Sequence, residues 1–409
     1  MTLNCAFCHH PLTHTVVDLG VGPLVDAYVK PDELQRMDPF LPLHVYVCDQ
    51  CFLVQLPEAA SPEQMFGDYP YFSSVSASWL QHAQRYVEAV TPRFGLNSQT
   101  QVIELASNDG YLLQYFKAKG IPILGIEPAR NVAAVAQSRG IPTVAEFFGV
   151  ATARKVLAQH GAARLLLGNN VMAHVPDRND FVAGMKILLA PGGVVTMEFP
   201  HLLRTMQGNQ FDQIFHEHFS YLSLVTLQRI FRAHGLEIFD VEELPTHGGS
   251  LRIFARHVED TQQPVAPAVG ALAQRERDEG LEDLQRYSRF AQQVRETKFK
   301  LLEFLIDAKR QGRSIVAYGA PGKGATLLNY CGVRSDFIDY IVDRSPHKQG
   351  LYMPGVRLPI YAPDKVRETR PDYVLILAWN LKDEVMAQMD FVREWGARFI
   401  VPIPEVMVV

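Results

Sequence analysis

The 409-residue chain lacks the features that mark secreted, membrane and nucleic-acid-binding proteins. No stretch approaches the ~18 consecutive apolar residues of a membrane span, and the N-terminus MTLNCAFCHHPL has no basic region followed by an apolar one. The net charge of −5 provides no broad basic surface for nucleic acid or anionic lipid. We therefore expect a cytoplasmic protein that binds neither nucleic acid nor membranes and that holds any anion in a local site.

Cysteine is also scarce, since five cysteines in a chain of this size are too few for a disulfide scaffold. Four of them form two Cys-x-x-Cys pairs, Cys5 with Cys8 and Cys48 with Cys51. Two such pairs can place four thiolates around one tetrahedral ion, and zinc suits sulfur ligands without bringing redox chemistry. We expect a structural zinc site, and the alternative is a set of free buried thiols. Cys331 stands alone and is expected in the core.

Low-complexity tracts and short internal repeats are absent, and the length allows two or three domains. After an irregular first segment, strands such as QVIELA alternate with helical stretches such as GYLLQYFKAKG and with a Pro-Gly-Gly turn at 191–193. This alternation is typical of a parallel α/β sheet, and a charged helical stretch at 260–311 leads to a second α/β unit. The expected α/β fold has a small N-terminal zinc-binding domain (1–66), a central Rossmann-like domain (67–258), and connecting helices with a C-terminal Rossmann-like domain (259–409).

The run VIELASNDGYLL predicts a cofactor-binding turn between a strand and a helix. Rossmann-like methyltransferases use the pattern Glu-x-Gly-x-x-x-Gly there, because missing side chains let the cofactor lie against the backbone. Glu104 and Gly110 fit the pattern, whereas Ala106 replaces its first glycine. Asn108 and Asp109 are expected to contact the amino acid end of the cofactor.

Glu127 ends the next strand, about 20 residues on, where a carboxylate accepts both ribose hydroxyls. The alternative is a solvated glutamate at a strand end. Asn170 follows a later strand and is expected to lie beside the methionyl group of the cofactor. An NAD site competes with this interpretation. The acidic ELASNDG turn favours S-adenosylmethionine, whose sulfonium is positive and which has no pyrophosphate to bind.

Histidine is concentrated in the stretch that follows the strand VVTMEFP. The titratable residues there are Glu198, His201, His216, Glu217, His218 and His247. Methyl acceptors usually lie just past this strand, so Glu198, His201 and His247 are expected to contact the substrate. One imidazole is expected to act as a general base, since neutral imidazole titrates near working pH. Surface histidines and a second metal site are the alternatives.

A family resemblance extends over nearly the whole chain. Its motifs are the two cysteine pairs, DLGVGPLVDAYV, DYPYFSS, ELASNDG, NNVMAHVPD, EFPHLL, IFHEHFSYLS, THGGSLR and AYGAPGKGA. Occurring in this order, they resemble the nucleotide-sugar C-methyltransferases, in particular the sugar C-3′-methyltransferases that build branched deoxysugars. The resemblance implies that the central domain is an S-adenosylmethionine-dependent methyltransferase. It also implies an acceptor that is a 4-keto-6-deoxy sugar attached to thymidine diphosphate.

The same resemblance assigns roles to residues of the central domain. It implies that His218, the second histidine of the His-Glu-His run, removes a proton acidified by the neighbouring ketone. The resulting enolate would attack the methyl group on sulfur. Glu217 would orient the substrate or the base, and His174 would line the same cleft.

One position departs from the family pattern, because Phe215 stands where comparable members have a tyrosine. Either Tyr69, Tyr71 or Tyr221 supplies a hydroxyl instead, or the substrate and the methylated position differ from C-3. Methylation of oxygen or nitrogen on a related sugar nucleotide would need no carbon acid. A homologue that binds the sugar nucleotide without efficient catalysis is the other alternative.

The C-terminal domain opens with the strand and turn SIVAYGAPGKGA. Gly319, Gly322 and Gly324 precede a helix together with Lys323, and backbone amides at a helix N-terminus with one lysine make a diphosphate site. In a dehydrogenase this turn would hold NAD, with Asp343 on its ribose. The resemblance instead assigns it to the sugar nucleotide. The alternative is that the glycines only allow a tight turn.

Overall fold

Short aliphatic runs separated by polar helical stretches give the chain its alternating elements, and a computed structural model describes residues 3–67, 69 and 71–409. The strands β1 to β17 of these residues are His14–Gly22, Leu41–Val47, Val54–Gln55, Val102–Leu105, Ile123–Ile126, Thr143–Val144, Ala163–Asn169, Leu189–Pro200, Ser220–Tyr221, Leu236–Leu244, Ser250–His257, Ile315–Tyr318, Ile341–Val342, Ile360–Tyr361, Tyr373–Ile376, Arg398–Val401 and Met407–Val408. The helices α1 to α13 of these residues are Pro62–Phe66, Ala77–Arg93, Leu113–Ala118, Arg130–Ser138, Val150–His160, Arg178–Leu188, Leu202–Gln207, Leu224–Ala233, Pro267–Asp278, Leu284–Arg310, Gly322–Cys331, Lys365–Thr369 and Lys382–Gln388. Within this part of the chain, no helix is both long enough and apolar enough to span a membrane.

The chain divides into two compact units. The first unit comprises Met1–Thr13, Cys48–Leu202 and Glu217–Glu282. The second unit comprises His14–Val47, Leu203–His216 and Asp283–Val409. Each unit has its own α/β sheet, as the sequence predicts for the central and C-terminal parts of the chain.

The first unit is built on a seven-stranded sheet with the order β10-β11-β8-β7-β4-β5-β6. Strands β4 to β8 pair in parallel, whereas β11 pairs antiparallel with both β8 and β10. All four residues of β4 are buried, as expected for a parallel strand covered on both faces. The strand order reverses at β4, and in such sheets ligands bind where strands end beside this reversal. The predicted cofactor turn follows β4 directly.

Helix α2 covers part of this sheet. Its apolar residues Ala83, Val87 and Val90 recur at helical spacing and are buried in the core. The helix begins after Ser76, whose hydroxyl accepts a hydrogen bond from the backbone N–H of Trp79 at 3.3 Å. A separate pair of short strands, β3 and β9, also belongs to this unit.

The second unit has a six-stranded sheet with the order β14-β13-β12-β15-β16-β17. Five strands are parallel, and β17 pairs antiparallel at one edge. The order reverses at β12, so the glycine-rich turn between β12 and α11 lies at the place where ligands bind in such folds. Cys331 ends α11 and is 3% exposed, which confirms its expected place in the core.

One local prediction is wrong in its bounds. The helix predicted from Gly110 begins only at Leu113, because the residues before it form a turn in which Gly110 has a positive φ angle. The Pro-Gly-Gly segment predicted as a turn at 191–193 falls within the bounds of β8, but the pairing with β7 passes from Leu189 directly to Val194 and leaves this segment unpaired. A φ of 68° at Gly192 permits this irregularity.

Candidate active site

The turn after β4 has the backbone shape of a ligand-binding loop. Positive φ angles occur at Ala106 (53°), Asn108 (49°) and Gly110 (79°), and for the two non-glycine residues this conformation costs about 1–2 kcal/mol each. A Cβ on Gly110 would lie 2.8 Å from Cγ1 of Ile141, so only glycine fits. Ala106 therefore adopts the left-handed conformation that the family pattern assigns to glycine.

Several polar atoms of this turn are buried without a partner. Among the described residues, no hydrogen bond reaches the hydroxyl of Ser107 or Oδ1 of Asp109, and the carboxyl group of Glu104 interacts with the hydroxyl of Tyr111; these three acceptor side chains are fully buried. Each such group costs about 1–3 kcal/mol when left unpaired. Burial raises the pKa of Glu104, and the nearby charges of Glu127 and Asp109 raise it further. A ligand with cationic and hydroxyl groups would relieve both costs, and S-adenosylmethionine has both.

Glu127 follows β5 and is 5% exposed, so the alternative of a solvated glutamate is wrong. Its two carboxylate oxygens accept backbone N–H groups from Asn108 and Ala129, each at 2.9 Å. Burial raises the pKa of Glu127. Because each carboxylate oxygen can accept more than one hydrogen bond, the group can still bind the two ribose hydroxyls.

The segment 65–78, which we call the bridge segment, contacts the cofactor turn. Its residues Asp68 and Pro70 lie outside the described part of the chain. Oδ1 of Asn108 accepts the N–H of Ser73 at 2.8 Å, and its Nδ2 donates to the carbonyl of Tyr71 at 3.1 Å. The side chain of Asn108 is thus engaged by the protein, and its predicted contact with the cofactor stays a prediction.

Two side chains that the sequence analysis does not identify hold the carboxylate of Asp109 in place. Its Oδ2 accepts hydrogen bonds from the hydroxyl of Ser74 and, at 3.1 Å, from the guanidinium of Arg139. The opposite carboxylate oxygen, Oδ1, is left for a ligand among the described groups. Ser74 is 35 positions and Arg139 is 30 positions away from Asp109 in the sequence, so no local sequence pattern predicts these contacts.

Five of the six predicted catalytic residues meet in one cluster of the first unit. The ring centroids of His174 and His218 are 4.8 Å apart, and that of Tyr221 is 6.2 Å from His218. The ring of His174 hydrogen-bonds to the backbone of Glu217. Burial lowers the pKa of His174 to about 4, so this imidazole is neutral at pH 7.

The two tyrosines of the bridge segment differ in position. The hydroxyl of Tyr69 donates to Oε2 of Glu217 at 3.4 Å, which joins it to the same cluster. Tyr71 is 48% exposed, and its ring lies 6.3 Å from that of Tyr69. Of the three tyrosines predicted to compensate for Phe215, Tyr69 is therefore the one that hydrogen-bonds to the acid of the His-Glu-His run.

Glu198, predicted to contact substrate, lies inside a buried ionic network. Its Oε2 binds Nε2 of His82 at 2.9 Å and the guanidinium of Arg252 at 2.6 Å, and its Oε1 accepts from Thr246 at 3.0 Å. Although burial opposes its ionisation, the hydrogen bond from His82 and the charge of Arg252 lower its pKa to about 2. A direct contact with substrate stays a prediction.

The other predicted substrate residues of this unit lie in two places. His247 shares a hydrogen bond with Nδ2 of Asn170 at 3.2 Å, and Oδ1 of Asn170 is buried without a partner among the described residues. His201 is fully buried and pairs with Glu276 at 2.6 Å. Asn170 thus offers a free acceptor for a ligand, as predicted for a cofactor residue, whereas His201 is engaged within the core.

The four predicted metal ligands come together in the first unit. Their sulfur atoms all lie within 4.8 Å of one another, with Cys5 and Cys51 3.5 Å apart and Cys8 and Cys48 3.4 Å apart. A tetrahedral zinc ion with bonds of about 2.3 Å would separate its sulfur ligands by about 3.8 Å. We call these four residues the thiol cluster, and its geometry fits a closed structural zinc site.

In the second unit, the predicted diphosphate turn has the expected shape. Gly319 has a φ of 87°, and α11 begins at Gly322. The carboxylate of Asp343 accepts the N–H groups of Ala320 at 2.7 Å and Ser345 at 2.8 Å. Asp343 therefore shapes this turn, and its predicted contact with a ligand stays a prediction.

Lys323 is positioned beside the same turn. Its Nζ donates to Oδ1 of Asn380 at 2.9 Å and lies 4.6 Å from the centroid of the Trp379 ring. The indole N–H of Trp379 donates to Asp212 at 2.6 Å. Burial lowers the pKa of Lys323 and raises that of Asp212 to about 6. An anion bound at the N-terminus of α11 would find a lysine and an indole already held in place.

Comparison with known proteins agrees with this arrangement. Three family models match in succession: "Putative zinc binding domain" at residues 5–66, "Methyltransferase domain" at 79–241 and "C-methyltransferase C-terminal domain" at 245–404. Among solved structures, an S-adenosylmethionine-dependent methyltransferase from Clostridium acetobutylicum aligns with a TM-score of 0.35 and 9% identity, covering 44% of this chain and 92% of that one. A second one, from Archaeoglobus fulgidus, aligns with a TM-score of 0.34 and 12% identity, covering 43% and 93%.

A relative known by sequence matches over almost the full length. The C-methyltransferase NovU of Streptomyces niveus is 36% identical over 406 residues, which is 99% of this chain and 96% of the relative. The chain belongs to the family of C-methyltransferases that combine a zinc-binding domain, a methyltransferase domain and a dedicated C-terminal domain. It is an S-adenosylmethionine-dependent methyltransferase that acts on a small molecule, and the thiol cluster is its zinc site.

Proposed function

We propose that the enzyme methylates a carbon atom of a nucleotide-linked 4-keto-6-deoxy sugar, with thymidine diphosphate as the nucleotide. The observation that carries the proposal is the cluster of His218, His174, Glu217 and Tyr69 in the unit that holds the cofactor turn. Carbon methylation requires a base that removes a proton from the carbon atom, and this cluster supplies one. The similarity to the C-methyltransferase NovU also supports carbon as the acceptor atom.

In the proposed reaction, His218 removes the proton from the carbon next to the ketone. The C–H bond breaks, its electron pair forms an enolate, and the proton moves to the imidazole of His218. Bound S-adenosylmethionine supplies an electrophilic methyl group, so that a carbon–carbon bond forms while the bond from methyl to sulfur breaks. A donor is needed for the developing enolate oxygen, and Tyr69 and Tyr221 are the hydroxyl groups close to the base.

We propose that the second unit binds the sugar nucleotide. The turn at Gly319 and Gly322 offers backbone amides at the N-terminus of α11, and Lys323 adds a positive charge. Trp379 presents an aromatic ring beside that lysine. We further propose a cytoplasmic location and no nucleic acid partner, supported by the use of four of the five cysteines in a metal site and by the net charge of −5.

The test is mass spectrometry of products after incubation with S-adenosylmethionine and a panel of thymidine diphosphate 4-keto-6-deoxy sugars. We expect one sugar to gain one methyl group on carbon, as located by NMR of the product. In deuterated water with S-adenosylhomocysteine in place of the methyl donor, the carbon next to the ketone should exchange its proton for deuterium.

The matched variant is His218→Asn, which keeps a polar side chain but removes the base. It should bind S-adenosylmethionine normally while losing both the methylation and the deuterium exchange. Methyl transfer to an oxygen or nitrogen would overturn the proposed acceptor. Cofactor binding without methylation of any sugar in the panel would instead favour a homologue that binds sugar nucleotides without catalysis.

A further inference from the structure

The thiol cluster is joined by backbone pairing to the strand that follows the predicted base. Strand β3 begins three residues after Cys51 and pairs antiparallel with β9, so that Gln55 lies opposite Ser220. In addition, the N–H of Leu56 donates to the carbonyl of Phe219 at 3.1 Å. Since Phe219 is adjacent to His218 in sequence, the backbone that carries the imidazole is fixed directly to the zinc-binding segment.

Gln55 extends this connection to the sulfur atoms. Its Nε2 donates to Sγ of Cys5 at 3.3 Å, while its Oε1 accepts the N–H of Ala6 at 2.8 Å. The side chain is 3% exposed, so neither bond competes with water. Partners of this kind orient metal ligands and are held in turn by them.

Arg178, the first residue of α6, binds the two segments that carry the histidines. Its Nη1 donates to the carbonyl of Pro176 at 3.0 Å, and its Nη2 donates to the carbonyl of Phe219 at 2.5 Å. Pro176 lies two residues after His174, and Phe219 lies one residue after His218. A planar guanidinium fixes two acceptors in a set geometry, so Arg178 connects the backbone after His174 to the backbone after His218.

A buried guanidinium needs negative charge nearby. Arg178 is 2% exposed, and burial lowers its pKa to about 10, while the charges of Cys5, Asp177 and Cys51 favour its ionised form. Four thiolates around one divalent ion leave a net charge of −2, which persists only while the metal is bound. The neighbouring Asn179 donates to the carbonyl of Phe7 at 3.0 Å, within the first Cys-x-x-Cys pair.

We propose that Arg178 is a positioning residue that couples the zinc-thiolate cluster to the two histidines, so that the zinc domain sets the orientation of the catalytic base. The proposal rests on the proposed function in one respect, which is the role of His218 as the base. Its structural part stands independently, because the orientation of the His218 ring is measurable in the absence of turnover.

The test compares Arg178→Lys with Arg256→Lys as the matched control. Lysine keeps the positive charge but lacks the planar guanidinium group that donates to two carbonyl groups at once. Arg256 is 4% exposed and also donates to two carbonyl groups, those of Gln263 and His257, without contacting either histidine segment. We expect Arg178→Lys to lower kcat by about 10- to 100-fold, because a displacement of about 1 Å at a reacting group can cost that much.

The readouts separate positioning from general damage. In Arg178→Lys, the affinity for S-adenosylmethionine and the zinc content should stay at their native values. The NMR signals of the His174 and His218 imidazoles should shift, with His218 assigned by its loss in His218→Asn. The control should change neither kcat nor these signals.

Unchanged histidine signals in zinc-loaded Arg178→Lys would overturn the proposal. If that variant fails to fold, Gln55→Met provides the second route, because it keeps the volume of the side chain but removes its hydrogen bond to Cys5. The His218 signal should then shift in a protein that still holds zinc, and a native signal would again overturn the proposal. Shifted signals combined with full turnover in His218→Asn would instead disprove the proposed base and leave the coupling intact.

Discussion

The ionisation of single residues decides what the histidine cluster can do. Burial lowers the pKa of His174 to about 4, so the ring is neutral near pH 7, and the proposed base His218 lies 4.8 Å away. Two imidazolium ions at this distance would repel each other by about 1 kcal/mol even in water and by more inside a protein. A neutral His174 therefore lets His218 accept a proton without an opposing charge.

A prediction at the residue scale concerns Tyr69. Because its hydroxyl binds Glu217 beside the proposed base, Tyr69→Phe should lower kcat by about 10²-fold while leaving the affinity for S-adenosylmethionine unchanged. Steady-state kinetics and calorimetric titration of the cofactor measure the two quantities. Tyr115→Phe is the control, since that ring packs against the core on α3, away from the cluster. Full activity in Tyr69→Phe would direct attention to Tyr221 as the donor that compensates for Phe215.

Sequence patterns identify residues whose backbone conformation depends on their neighbours along the chain. The turn that contains Ala106 and Gly110 could be predicted because the pattern itself defines it, and both residues have positive φ angles. Arg178 could not be found in this way, because its role depends on the carbonyl groups of Pro176 and Phe219, the second of which lies 41 positions away. An arginine at the start of a helix gives no signal that it is buried.

At the scale of secondary-structure elements, the side chain of Glu198 connects three of them through polar and charged contacts. It lies on β8, His82 lies on α2 and Arg252 lies on β11, so one carboxylate connects three elements. Its pKa of about 2 in the folded protein is below the 4.5 of the free side chain. Because the folded state depresses the pKa, the carboxylate stabilises the fold above about pH 4.5, and this contribution is lost as the pH falls towards 2.

The contacts of Glu198 predict that Glu198→Gln and the native protein differ in stability towards acid. Above about pH 5 the ionised Glu198 contributes about 3 kcal/mol to the free energy of unfolding, and Glu198→Gln should lack that pH-dependent part. Urea unfolding from about pH 7 to about pH 3 measures it. Glu242→Gln is the control, because Glu242 also binds Arg252 but is 42% exposed and should contribute little. Parallel pH profiles for Glu198→Gln and the native protein would contradict this role.

Elements were predicted well where a local pattern defines them. The apolar strand at 102–105 and a helical stretch at 260–311 were expected from periodicity and charge, and the structure divides that stretch into helices at 267–278 and 284–310. The Pro-Gly-Gly segment at 191–193 was expected to interrupt the strand, and the pairing of β8 with β7 is interrupted there. The ion pair of His82 and Glu198, 116 positions apart, likewise depends on packing that no local window contains.

At the scale of the whole molecule, the two units each present a strand reversal followed by a glycine turn, at β4 and at β12. Both turns follow the same strand–turn–helix plan, and they differ in charge. The turn after β4 carries buried acids, which suit a cationic ligand, whereas the turn after β12 carries Lys323, which suits an anion.

The proposed binding of the sugar nucleotide at the turn after β12 predicts the effect of Lys323→Ala. Loss of a charge-assisted contact of about 1.5–3 kcal/mol should raise the KM for the sugar nucleotide by about 10- to 100-fold without changing the affinity for S-adenosylmethionine. Lys365→Ala is the matched control in the same unit, since Lys365 pairs with Glu368 on the exposed face of α12. If Lys323→Ala instead weakened S-adenosylmethionine and spared the sugar nucleotide, the two turns would have to exchange their roles. Because Glu104 is fully buried beside the charges of Glu127 and Asp109, and Oδ1 of Asp109 has no hydrogen-bond partner among the described residues, we expect the first outcome.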